Sequence, residues 1–344
     1  MDMLAARLYG KDDLRLERMP IPEIGPGEML LKVKAAAVCG TDLRMLQNGT
    51  GVSPLVLAHE LAGVIDRLGA GVEDYSLGQR VAVAPNIGCG VCAFCASGRG
   101  HHCRKLTALG IHLDGGFAEY VRVPAAAMRL GNVTPLDPAI SFAAAAANEA
   151  LSCVYNAHER YRVQPGDTVA IIGAGAIGMM HAKLAWMSGA AKVILNDIST
   201  GRLAECARLD PRLTIIEADL PERLKEETSG NGADVVITAC SAPAAQKAAF
   251  DLAGVDGRVN FFGGLPKGRE KVELDTNIIH YKQLSVTGTT RASLAHYRLT
   301  LDLVGKGLVD LDQLVTHRFP LTEIKQAFAN VAGGVGLKQA VVFD

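Results

Sequence analysis

In Thr168-Val169-Ala170-Ile171-Ile172-Gly173-Ala174-Gly175-Ala176-Ile177-Gly178, an unbroken apolar run leads into glycines spaced G-x-G-x-x-G. A strand without polar alternation is covered on both faces, as in a parallel sheet between layers of helix. The glycines then have separate tasks. Gly173 permits a tight turn, Gly175 lets the backbone approach a pyrophosphate, and Gly178 lets a helix lie close on the sheet. Ala176 and Ile177 open that helix, which runs to Met187, and its free N–H groups face the phosphates. Asp197 follows Gly178 by nineteen residues, at the end of the next apolar run. A carboxylate there accepts a hydrogen bond from the adenosine ribose and repels a 2′-phosphate, so the pattern predicts NAD over NADP.

On either side the texture differs. Downstream, apolar runs at 192–195, 214–216, 234–238, 258–262 and 284–287 are separated mostly by helical stretches. With 168–172 they make six strands, the number of a doubly wound nucleotide-binding sheet, and residues 151–290 are assigned to it. Upstream, short β runs at 29–33, 63–65 and 80–83 alternate with turn signals such as Gly25-Pro26-Gly27 and Gly69-Ala70-Gly71. Residues 1–150 therefore read as a small barrel. Residues 291–344 begin with a helix at 294–304, end in short strands, and are expected to return to the first domain.

The chain has 344 residues, 49% hydrophobic, with a formal net charge of −1. That length and composition suit two cored domains. No basic stripe with interleaved aromatics suggests nucleic acid, and no apolar run has the length of a membrane span. Met1-Asp2-Met3-Leu4 lacks the form of a secretory leader, so a cytoplasmic location is expected.

Two groups of residues point to metal. Cys89, Cys92, Cys95 and Cys103 run C-x2-C-x2-C-x7-C. Four thiolates close a tetrahedral shell and leave no position for substrate, so this zinc is structural. Disulfides, the other reading, belong to oxidising compartments. Cys39 and the pair His59-Glu60 supply different donors. A thiolate, an imidazole and a carboxylate hold zinc with a position open for substrate. Two zinc ions per subunit are therefore expected, one structural and one catalytic.

Taken in order, these segments resemble the zinc-dependent medium-chain dehydrogenases over essentially the whole chain. The resemblance rests on Cys39-Gly40-Thr41-Asp42, His59-Glu60-x-x-Gly63, the cysteine lobe, Asp114-Gly115-Gly116-Phe117-Ala118-Glu119-Tyr120 and the nucleotide motif. It implies an α/β protein with a GroES-like β-barrel catalytic domain and a Rossmann domain. The polyol (sorbitol-type) branch is the most similar. Asn148-Glu149-Ala150-Leu151-Ser152 resembles its Glu-Pro-Leu-Ser segment, which makes Glu149 a further candidate for the zinc. Asp197 with Arg202-Leu203 resembles its NAD-holding segment, and residues 314–321 resemble its C-terminal segment. Arg291 falls near that branch's substrate-contacting arginine. The implied reaction is zinc-assisted, NAD-linked oxidation of a secondary alcohol, with Thr41 taking the substrate's proton. The substrate is a small molecule, and a homo-oligomer, dimer or tetramer, is expected.

Three positions depart from the pattern. Ala58 stands where a glycine is usual, Arg44 where a relay histidine is frequent, and Ala292 where the polyol branch has tyrosine. A guanidinium does not release its proton at working pH. Arg44 is left with cofactor phosphate or ribose, an anionic substrate such as a polyol phosphate, or the open surface. Rival readings are an L-threonine 3-dehydrogenase, another alcohol dehydrogenase, and a nucleotide-binding protein that has lost catalysis.

Overall fold

A computed structural model describes residues 1–344. The chain forms two compact units, Met1–Ser152 with Ala292–Asp344, and Cys153–Arg291.

The first unit is mostly antiparallel β. Its largest sheet runs, in spatial order, Val133–Pro135, Arg80–Val83, Glu60–Leu68, Met29–Ala37, Lys338–Val342 and Val315–Pro320, with Tyr120–Val123 also paired to Met29–Ala37. The strand read at 63–65 thus extends to Glu60–Leu68 and the one at 29–33 to Met29–Ala37. Their shared edge is broken by a register shift between Val33 and Ala35. Gly63 lies there, and a Cβ on it would stand 2.1 Å from the Lys32 carbonyl oxygen. Glycine permits that approach of two backbones. Beneath the strands, Leu31, Val33, Leu61, Phe117 and Phe328 are buried in one core. The Phe117 and Phe328 rings meet edge to face at 5.8 Å and 72°. The last strand closes onto Met29–Ala37 through Ala340–Ala37, Val341–Ala36 and Val342–Ala35.

The second unit is a parallel sheet of β1 (Thr168–Ile172), β2 (Lys192–Asn196), β3 (Thr214–Ile216), β4 (Ala233–Thr238), β5 (Ala253–Phe261) and β6 (Ser285–Gly288). Their order, β3-β2-β1-β4-β5-β6, is the doubly wound order of a dinucleotide-binding domain. The sequence predicts five residues of β5; the structure has nine. The added residues lie before Arg258, where Asp256 takes a left-handed φ of 63° and the strand continues past it. The second unit also holds two polar pairs, one of them, Tyr161 with His181, fully buried. Tyr161 Oη and His181 Nδ1 are 2.9 Å apart, and Ser188 Oγ and His158 Nε2 are 2.8 Å apart. Burial pushes His181 down to about 3 and His158 down to about 4.

Candidate functional site

The cysteine lobe brings its four sulfurs together. Cys92 Sγ lies 3.5 Å from Cys95 Sγ and 3.8 Å from Cys103 Sγ, and Cys89 Sγ lies 3.9 Å from Cys95 Sγ. Zinc–sulfur bonds of about 2.3 Å give a tetrahedron with edges of about 3.8 Å. A disulfide needs about 2.05 Å. The lobe therefore fits one tetrahedral ion. Backbone N–H groups reinforce the thiolates: Cys92 N donates to Cys89 Sγ, and Lys105 N donates to Cys103 Sγ. Hydrogen bonds from Val91 and Cys92 hold the Cys89 thiol down to about 6. Gly88 makes room, since a Cβ there would stand 2.7 Å from the Cys95 sulfur.

The second group is assembled by strand pairing. Ala37 faces Glu60 across two antiparallel strands, so Cys39, two residues on, comes beside His59. One ligand atom from each of Cys39, His59 and Glu60 lies within 4.8 Å of the others. Asp42 holds this corner. It is fully buried, its Oδ2 accepts from Cys39 N at 2.8 Å, and its Oδ1 accepts from Ala58 N at 3.3 Å. The same Oδ1 stands 3.5 Å from His59 Nδ1, which leaves Nε2 to face an ion. Burial opposes charge on His59, but Asp42 and Cys39 outweigh it and raise the ring well above its ordinary value. Ala58 pays for the turn with a left-handed φ of 74°. The loop Asp114-Gly115-Gly116-Phe117 grips it: Gly115 N, Gly116 N and Phe117 N donate to Val56 O, Ala58 O and Leu57 O.

Glu60 is 0% exposed and accepts from Lys338 Nζ at 2.6 Å, with Lys338 itself 6% exposed. Burial opposes the ammonium charge, and Glu60 and Cys39 together raise it above its ordinary value. The other carboxylate oxygen, Oε2, is buried without a partner, as a metal ligand would be. A thiolate, an imidazole and a partnerless carboxylate oxygen fit a zinc with a position left for substrate.

Glu149 is buried on the helix Phe142–Tyr161 but lies outside that three-residue set. Thr41 Oγ1 accepts from Arg44 Nη2 at 2.9 Å, and Arg44 is exposed on the helix Gly40–Asn48. Asp42 and Lys338 escape a reading of the sequence. The spacing of Cys39 and Asp42 is that of a helix cap and its third residue, a usable signal. Lys338 has none, because its partner lies 278 residues away.

In the second unit the nucleotide motif has the shape its glycines require. Gly173 turns with φ 121°, and a Cβ on Gly178 would stand 1.9 Å from Gly173 O. A Cβ on Gly175 would meet nothing within 4 Å. Gly175 caps the helix Ala176–Met187 without a side-chain bond, so a pyrophosphate has open space and free N–H groups there. Ile177 follows Ala176 in that first turn. Asp197, just past β2, accepts from Ala174 N at 2.7 Å and Ser199 N at 2.9 Å. Arg202 N donates to Ser199 Oγ at the start of the next helix. Arg291 belongs to this unit, exposed, with a left-handed φ of 57° and its carbonyl held by Asn156 Nδ2 at 2.8 Å.

Similarity to known proteins runs over the whole chain. The family model of the alcohol dehydrogenase GroES-like domain matches residues 25–134, and that of zinc-binding dehydrogenases matches residues 176–306. The chain is 32% identical to L-threonine 3-dehydrogenase of Chelativorans sp. strain BNC1, over 100% of this chain and 99% of the relative. It is 31% identical to the sorbitol dehydrogenase of Bacillus subtilis, over 95% of this chain and 92% of the relative. A protein of Sinorhizobium meliloti 1021 described as a zinc-binding dehydrogenase, crystallised with NADP, has 32% identity and a TM-score of 0.91 over 100% of both chains.

Proposed function

This chain belongs to the zinc-dependent medium-chain dehydrogenases, and from that premise we propose that it oxidises a secondary alcohol of a polyol or polyol phosphate to the ketone, with NAD as hydride acceptor. The observation that carries the chemistry is the meeting of Cys39, His59 and Glu60 within 4.8 Å. Zinc bound there would supply Lewis-acid polarisation of the substrate hydroxyl, and a nicotinamide would supply the hydride acceptor. The chain's own residues do the rest. Cys39, His59 and Glu60 would hold the ion, and Asp42, 3.5 Å from His59 Nδ1, would leave Nε2 free to bind it. Lys338 orients Glu60 through Oε1. Thr41 Oγ1 receives the substrate's proton and passes its own onward. Arg44, bound to that same oxygen, holds the hydroxyl in place and presents its remaining N–H groups to an anion.

Asp197 supports NAD over NADP, because a carboxylate at the end of β2 repels a 2′-phosphate. The cysteine lobe supports a second, structural zinc. Its four thiolates favour the reducing cytoplasm. The edge strand β6 supports pairing with a second copy, and hence a dimer or tetramer.

The relatives' identities of 32% and 31% are too close for overall likeness to choose between threonine and a polyol. The test is reduction of NAD⁺ by the purified protein against free polyols, polyol phosphates, L-threonine and simple alcohols, repeated with NADP⁺. Turnover of a polyol or its phosphate with NAD⁺ is expected. Activity on threonine alone, or with NADP⁺ alone, would replace this reading.

A further inference from the structure

Thr238, Phe261 and Gly288 are the last residues of β4, β5 and β6, and they pair in one row. The chain leaves this row through Thr289, Thr290 and Arg291. In an open sheet of this kind ligands lie against the carboxyl ends of the strands. The halves of a dinucleotide fall on either side of the point, between β1 and β4, where the strand order reverses. With Asp197 at the end of β2 on the adenosine half, the turn after β6 stands on the half left for the nicotinamide.

This turn is held at both ends. Before it, Asn260 Nδ2 on β5 donates to Thr287 Oγ1 on β6 at 2.9 Å. After it, Asn156 Nδ2 donates to the Arg291 carbonyl at 2.8 Å and to the Thr290 carbonyl at 3.4 Å. Arg291 has the left-handed φ of 57°, which a residue with a Cβ keeps only where its surroundings impose it. Asn156 is 3% exposed and lies within the helix Phe142–Tyr161. Asparagine suits a helix interior poorly, and a buried amide needs partners. The two carbonyls of the turn supply them. Leucine would favour the helix more and leave the turn without its clamp.

We propose that Asn156 is a positioning residue for the nicotinamide half of the cofactor: by holding the Thr290 and Arg291 carbonyls it fixes the turn after β6 in the conformation that receives the ring. This rests on the reading of the second unit as an NAD site, and it adds a residue outside the glycine motif. Asn156 acts through the turn, by raising the fraction of molecules in which the turn is competent to bind.

The experiment titrates NADH and ADP-ribose, which has the adenosine and pyrophosphate but no nicotinamide, into the wild type, Asn156→Leu and Asn156→Asp. Neither substituted side chain can donate, and the urea midpoint of each free protein is measured beside its affinities. Loss of the clamp is expected to weaken NADH binding by about five- to tenfold, the worth of about one hydrogen bond. ADP-ribose binding should stay within about twofold of the wild type, a split that general destabilisation would not produce. Hydrogen exchange at Thr289–Arg291 in the wild type needs no substitution: NADH should slow it, and ADP-ribose should not. Equal weakening of both ligands, unchanged NADH affinity, or exchange slowed equally by both would overturn the proposal. A wild type that binds neither ligand would instead sink the NAD reading on which it rests.

Discussion

Ala58 shows how closely the metal corner is drawn. Its φ of 74° belongs to a region that costs an alanine about 1–2 kcal/mol. Its N–H bonds Asp42, and its carbonyl accepts from Gly116 N, so the conformation is held from both sides. Ala58→Gly removes the strain at the expense of a looser unfolded chain. A net gain of up to about 1 kcal/mol is expected, read as a higher urea midpoint, and an unchanged or lower midpoint would contradict the strain argument. Lys338 is the opposite case. Removing one partner of a buried ion pair strands the other charge, at about 3–5 kcal/mol. Lys338→Met should lower the stability of the zinc-free protein by that order, whereas replacing Glu60 and Lys338 together by apolar residues should restore much of it. The sequence at Leu337-Lys338-Gln339-Ala340 reads as a polar approach to an edge strand. Only the fold shows that the lysine points inward, because burial of a charge depends on what faces it, and here that lies across the whole chain.

At the scale of the strand–turn–helix unit, the glycines separate folding from binding. Gly178→Ala forces a methyl to 1.9 Å from a carbonyl oxygen, which the turn cannot accept without moving. Gly175→Ala places its methyl in open space. The two variants are therefore expected to part. Gly175→Ala should keep the wild-type melting temperature and weaken NADH binding by roughly tenfold or more, since the methyl stands where the pyrophosphate approaches. Gly178→Ala should lower the melting temperature as well. Calorimetry with and without NADH checks both, and equal losses of stability would refute the distinction. This unit was the most legible in the sequence, because β1, β2 and β4 are continuous apolar runs stopped by glycine or a polar residue. The strand β5 was less so. Its left-handed Asp256 imitates a turn, and local chemistry does not say whether a strand ends there or bends. The metal corner was half legible. Donor types at Cys39, His59 and Glu60 were readable, while Asp42 and Lys338 act through distance and burial that residue order does not encode.

For the whole molecule, acid should act first on the second unit. His181 is held at about 3 and His158 at about 4, both by burial, against about 6.5 in an unfolded chain. Both are neutral in either state above about pH 6.5, so nothing is lost there. Below it the unfolded chain takes up protons that the folded chain refuses. Stability then falls by about 1.4 kcal/mol per pH unit for each histidine, until the pH reaches the folded values. Urea midpoints between pH 7 and 4.5 should show this slope, and His181→Gln, which keeps a partner for Tyr161, should remove roughly half of it. A slope unchanged by the variant would place the acid sensitivity elsewhere.

The pairing of Lys338 with Glu60 also fixes an order of events in the cell. A ribosome makes Cys39, His59 and Glu60 early, and the entire second unit is translated before strand Lys338–Val342 exists. During that interval the Glu60 carboxylate has no ammonium to answer it, and Met29–Ala37 has an open edge awaiting its last neighbour. The corner around Cys39, His59 and Glu60 is thus completed by one of the last strands of the chain to be made.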